Sequence, residues 1–192
     1  MFQHALSVLQ GLVISLAAGG AYFFAYRVNE FFDTWVLYAQ GINLVFLPAG
    51  IKHIAILIAG KWGALGCLIS LFMLATEFWN GFPVSQIAFY SAISTGSTWL
   101  GIILSLRILQ IDSDLLNLKF IHLPIMDFFT TSVHALTTNL FFNASGMKSN
   151  DMLKNAFAMM LGDYIGSFIV LTILWFGLTF LKKTKIDQDN IL

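Results

Sequence analysis

The chain has 192 residues, 58% of them hydrophobic and only 10% charged, with a formal net charge of zero. A soluble domain carries roughly a quarter charged residues, and a mean hydropathy of +0.80 leaves too little polar sequence to coat a globule. The single cysteine, Cys67, excludes a disulfide framework or thiolate metal cluster within one chain, and three lysines near the C-terminus are too few for nucleic-acid binding.

The first apolar run, Ala5 to Tyr26, is near the ~20-residue length that spans a bilayer. Its flank, MFQHALSVLQ, has no basic side chain, so a retained span is expected rather than a cleaved signal peptide. Gly11, Ser15 and Gly19 recur at every fourth position, a face on which helix backbones can approach closely. The stretch Thr34 to Thr76 is too long for one span and is interrupted by Pro48 and by Gly60-Lys61. It reads as two elements. The first is broken at Pro48, because proline removes a backbone donor and the residue before it leaves helical geometry. The second runs from Trp62 to Thr76, and small residues Gly60, Gly63, Gly66 and Ser70 cluster around it. Phe31 to Phe46 is expected in the interface or entering the membrane partway.

Three further runs follow: Val84 to Leu106, Leu123 to Phe142 and Ala156 to Leu181. The expected fold is an all-α integral membrane protein of about six transmembrane helices, one of them broken at Pro48. Residues 1–181 would form one polytopic domain and 182–192 a short cytoplasmic tail. Basic residues in short loops mark the cytoplasmic side. With both termini cytoplasmic, that side holds Lys61, Arg107, Lys119, Lys182, Lys183 and Lys185, against Arg27, Lys148 and Lys154 outside.

Ionisable groups within spans are costly and mark pairing or function. Here they are Lys52, His53, Asp127, His134 and Asp163, with Glu77 near an end. Asp127, Thr131, His134 and Thr138 share one helical face, which cannot face lipid. At ~1.5 Å per residue, Lys52 is expected ~6 Å and Asp163 ~10 Å below the outer surface. Lys52, His134, Asn139 and Asp163 could then share an outer-half compartment that excludes Asp127. Lys52 either snorkels to the headgroups or turns inward as a counter-ion or anion anchor. Near Gly50, the Pro48 break would present free helical N–H groups whose dipole also favours an anion.

Other chemistry finds less support. "LGDYIG" with Asp127 is similar to the aspartate pair of intramembrane aspartyl proteases, but Met160 replaces a motif glycine and the depths separate the carboxylates. No Ser or Cys triad is apparent, and "STGSTW" reads as a packing stripe. His53 and His134 are expected as hydrogen-bonded interior residues rather than metal ligands, since a site needs three or four converging ligands. No cofactor is indicated, and the expectation is a non-enzymatic protein.

"NLVFLPAGIKHIAILIAGKWGALGCLIS", "GSTWLGIILSLRIL" and "AMMLGDYIGSFIVLTILW" resemble, in order, the signature regions of the first class of bacterial membrane-associated sensor (MASE) domains. Those regions are a Pro-x-Gly helix entry with a small-residue repeat, a span ending in a Leu-Leu-Arg-like turn, and a final span with Gly-Asp-x-x-Gly. The resemblance implies a sensor in the bacterial inner membrane that acts with a diguanylate cyclase or a sensor kinase. The family usually has more spans and no lysine at position 52. "KKTKIDQDNIL" is too short for an output domain, so signalling through a partner chain is expected. In size and helix-breaking loops the chain also resembles the six-span S-components of vitamin transporters, which bind a small molecule and dock on a transporter partner subunit. A structural subunit of a membrane complex is the third reading.

Overall fold

The computed structural model describes residues 2–112, 114–147 and 151–189. Lys148, assigned above to the outer side, and residues 190–192 of the tail lie outside them. The order is α1 (Phe2–Phe31), α2 (Asp33–Val36), β1 (Leu37–Ala39), β2 (Ile42–Asn43), α3 (Leu47–Phe78), α4 (Val84–Ile108), α5 (His122–Ala144) and α6 (Met152–Asp189). Among the described residues, four helical stretches are long and apolar enough to cross a membrane: Ser7–Phe31, Leu47–Phe78, Val84–Ile108 and Met152–Gly177. The chain is an all-α membrane protein by this criterion. Its surface fits that solvent, since Leu16, Ile58 and Phe157 are 77%, 73% and 62% exposed while Asp127, Asn139 and Lys52 are buried.

Of the two interruptions expected in this stretch, the one at Pro48 is absent and the one at Gly60-Lys61 is present. Pro48 opens α3, in the first turn, where its missing N–H costs nothing. The interruption is at Gly60, whose φ of 54° and ψ of −127° suit only glycine. There the helix doubles back. As a straight rod α3 would span about 48 Å, yet Tyr26 of α1 packs against rings near both ends, Phe46 at 6.0 Å and Phe78 at 5.9 Å. The arms 47–59 and 61–78 also meet near the turn, where a Cβ on Gly63 would strike the Ala55 carbonyl.

The 61–78 arm packs on α1 along the small-residue face. A Cβ on Gly66 would collide with the Ser15 carbonyl, and one on Gly19 would lie 2.8 Å from the Gly66 carbonyl. Two side chains bind backbone across the seam: Ser15 Oγ donates to the Trp62 carbonyl at 2.8 Å and Ser70 Oγ to that of Gly19 at 2.9 Å. The 47–59 arm lies against α6, with Gly50 pressed on Ser167 and Val170. α5 packs between α4 and α6, and α4 also touches α3.

The Phe31–Phe46 segment folds as the short α2 and an antiparallel β1–β2 hairpin. It is fastened at several points. Asn43 Nδ2 donates to Asp33 Oδ1 at 3.0 Å, and Gln40 Nε2 to the Phe78 carbonyl at 3.0 Å. Asn29 Oδ1 accepts from the Leu47 N–H at 2.9 Å, satisfying a free donor at the start of α3. Beneath the hairpin, Trp79 meets Phe82 and Tyr90 edge to face and Phe142 at a tilt.

Candidate functional site

The last strand leads directly into the site. Gly162 and Gly166 of α6 lie so close to the passing segment that Cβ atoms there would strike the Asn43 and Phe46 carbonyls. The Phe46 N–H donates to the Gly162 carbonyl at 3.0 Å. The Gly-Asp-x-x-Gly pattern thus seats a chain crossing on two glycines and sets Asp163 between them, turned into the bundle.

There Asp163 meets His134, with Oδ2 2.7 Å from Nδ1. His134 Nε2 lies 2.9 Å from Ser94 Oγ and 3.3 Å from Lys52 Nζ, and Lys52 Nζ donates to Ser94 Oγ at 3.1 Å. If Nδ1 carries the ring proton toward Asp163, Nε2 accepts from the other two. Lys52 is 2% exposed, so it turns inward rather than snorkelling. Its contact with Asp163 runs through the imidazole, which stands between them, and not through the direct ion pair that depth suggested.

A cavity of about 260 Å³ opens from this cluster toward the hairpin. Lys52, Ser94, His134 and Asp163 form its polar end, Tyr22, Tyr26, Tyr90 and Phe78 its walls, and Glu30 and Asp33 its rim. Glu30 is paired with Arg27 at 2.8 Å, and Arg27 reaches Glu77 at 2.6 Å. Burial, chiefly, lifts the Asp33 carboxyl above its usual range, with the Glu30 charge adding and the Asn43 amide opposing. This rim charge is therefore lost at a higher pH than an ordinary aspartate's.

Two of the expected site residues stand apart. Asn139 is buried but donates to the Ala135 carbonyl at 2.9 Å, one turn back in its own helix. It does not line the cavity, nor does Gly50, which faces α6 and a small cleft. Pro48 is buried at the head of α3. Among the described residues no three His, Cys, Asp or Glu side chains converge to hold a metal.

Asp127 departs from its expected separation. His53 Nδ1 lies 2.7 Å from Asp127 Oδ1, and both residues share a cleft with Lys52, His134 and Asp163. The depth argument failed at α6. That helix begins at Met152 rather than Ala156, which carries Asp163 about 16 Å along it. Each aspartate has its own histidine, and the two carboxylates share no hydrogen bond.

Ser94 is the residue the sequence reading passed over, since it lay in a stripe of small residues. The order Asp163–His134–Ser94 follows the contacts of a nucleophilic triad. Two features separate it from that machinery. Ser94 is mid-helix, where backbone N–H groups are consumed by the helix and none converge as an oxyanion hole. Lys52 also competes for the imidazole nitrogen that would take the serine proton.

No protein-family model, curated protein or solved structure matches this chain.

Proposed function

We propose that the protein is a membrane sensor-like domain of six crossings that binds a small anionic molecule in the 260 Å³ cavity and signals through a partner protein. The crossings are α1, the two arms of α3, α4, α5 and α6. α5 falls short on hydropathy because one face carries Asp127, Thr131, His134 and Thr138, and all four are buried. Apolar residues such as Leu136 and Leu140 face outward on the same helix, at 47% and 55% exposure.

The observation that carries the binding reading is Lys52. It is a buried amine at the floor of a cavity, held by Ser94 and His134, with one N–H left over for a ligand. Burying such a group is expensive, and placing it in a concave, aromatic-walled space favours a ligand with an anionic end. A zwitterion would suit the site equally, its cationic end toward Glu30 and Asp33 at the rim. The sensing role and the kinase or cyclase partner, in a bacterial inner membrane with both termini cytoplasmic, follow the family resemblance.

Thermal-shift screening of purified protein against anionic metabolites tests this reading. A compound at 100 times its Kd should stabilise the wild type by about 2.7 kcal/mol, and Lys52→Ala should abolish the shift. Absence of any stabilising anion, or a shift unchanged in Lys52→Ala, would refute it. An S-component-like role would show instead as co-purification with a transporter ATPase and uptake that depends on it.

A further inference from the structure

Behind the ligand cavity the polar interior continues. A cleft of about 10 Å³ is lined by members of both histidine–aspartate pairs. That is room for about one water molecule. A second cleft of similar size is lined by His53, Ser167 and Leu123, the last in the first turn of α5. The three spaces form a series. Lys52, His134 and Asp163 border the cavity and the first cleft, and His53 borders the first cleft and the second.

The groups along this series are poorly satisfied by protein. Thr130 Oγ1 is buried at the first cleft without a hydrogen-bond partner, and the Asp127 carboxylate faces the Ser167 hydroxyl of the second cleft across a gap too long for a direct hydrogen bond. An orphaned buried carboxylate oxygen costs several times the value of an ordinary hydrogen bond, and a bridging water removes that cost. Asp127 and Thr130 line a water-sized space and supply an acceptor and a hydroxyl to hold it.

We infer that Asp163, His134, Asp127 and His53 form a proton relay through the bundle, joined by water in the cleft between the two histidine–aspartate pairs. Chains of Asp and His with water are the usual means of moving protons through a membrane. Lys52 gives a proton to His134 Nε2 and regains one from the cavity, and the ring passes its Nδ1 proton to Asp163. Water in the cleft accepts that proton and gives one to Asp127, which hands it to His53 Nδ1, and the His53 ring releases one from Nε2 toward the Ser167 cleft. Each group gains one proton and loses one, so no co-reactant is required, and a flip of each imidazole restores its starting tautomer before the next proton. α3 contributes Lys52 and His53, α5 Asp127 and His134, and α6 Asp163, while α4 faces the path with Ser94 and Thr98. The relay depends on the bundle crossing the bilayer and not on the identity of any ligand.

Proteoliposomes enclosing a pH-sensitive dye, with a potassium gradient and valinomycin to set the potential, test the inference. Full-length wild type should carry protons at least tenfold faster than protein-free vesicles. Asp127→Asn should fall to the protein-free rate, and Ser132→Ala, half-buried beside Met160 of α6 and lining none of the three spaces, should match wild type. His53→Gln replaces Asp127→Asn if that variant does not purify as a single species. A wild-type rate equal to that of empty vesicles, or an Asp127→Asn or His53→Gln variant that conducts like wild type, would overturn the relay. Ligand stabilisation through Lys52 can succeed or fail independently.

Discussion

The α1–α3 seam and the interior between α3, α4, α5 and α6 are both rich in small and polar residues, yet they differ in what those residues do. At the seam, hydroxyls such as Ser15 and Ser70 bind backbone carbonyls, and glycines bring the chains into contact. Both hydroxyls have an acceptor, and neither lines any of the three spaces. In the interior, side chain binds side chain across helices, a cavity adjoins the cluster, and several polar atoms stay unpartnered. Small polar residues in a membrane protein therefore signal packing when they close on backbone and function when they enclose space.

Substitutions can break that contrast. The largest effect is expected at the seam, where Gly66→Val would force its side chain into the Ser15 carbonyl. Overpacking without relief costs about 3 kcal/mol, so most of the monodisperse peak should be lost in size-exclusion chromatography. Asp163→Ala comes next, because it leaves His134 Nδ1 without its acceptor in a buried site. Leaving a buried donor unsatisfied costs about 2 kcal/mol, and Asp163→Asn, which keeps an acceptor oxygen, should recover part of the melting temperature. Ser70→Ala removes one hydrogen bond across the seam and should cost about 0.6 kcal/mol, a small shift in melting temperature with no change in ligand response. A Ser70→Ala variant that lost ligand binding would erase the distinction between the two regions.

Much of the seam was legible in the sequence. Gly11, Ser15 and Gly19 fall at helical spacing and small residues cluster around Gly66, so both faces read as close-packing, whereas their packing on each other is seen only in the structure. The buried face of α5 was equally readable from the spacing of Asp127, His134 and the threonines. Of the two interruptions read in this stretch, the one at Gly60-Lys61 is present and the one at Pro48 is not, because proline is harmless in a first turn, where no N–H is required. Only the backbone reveals that Gly60 takes a positive φ and turns the chain back.

The site was partly legible. Lys52, His134 and Asp163 stood out as costly charges, and the structure brings them together. Ser94 did not, because a serine in "STGSTW" looks the same whether it packs or binds. Asn139 was drawn in by polarity alone, although an asparagine can satisfy itself on its own helix, as this one does on Ala135. Asp127 was excluded by counting depth from assumed helix ends, and a shift of four residues at the start of α6 undid that arithmetic. The hairpin that roofs the cavity lies in a segment whose apolar composition gave no sign of strands.

Native mass spectrometry of the protein released from detergent micelles tests the central claim most directly, by comparing wild type, Lys52→Met and Ser70→Ala after incubation with an anionic compound that raises the wild-type melting temperature. Lys52→Met leaves Ser94 and His134 able to bond to each other at their present 2.9 Å, so the cluster should survive the substitution. The account predicts one bound molecule on wild type and on Ser70→Ala, and none on folded Lys52→Met. Equal occupancy of Lys52→Met and wild type would contradict it.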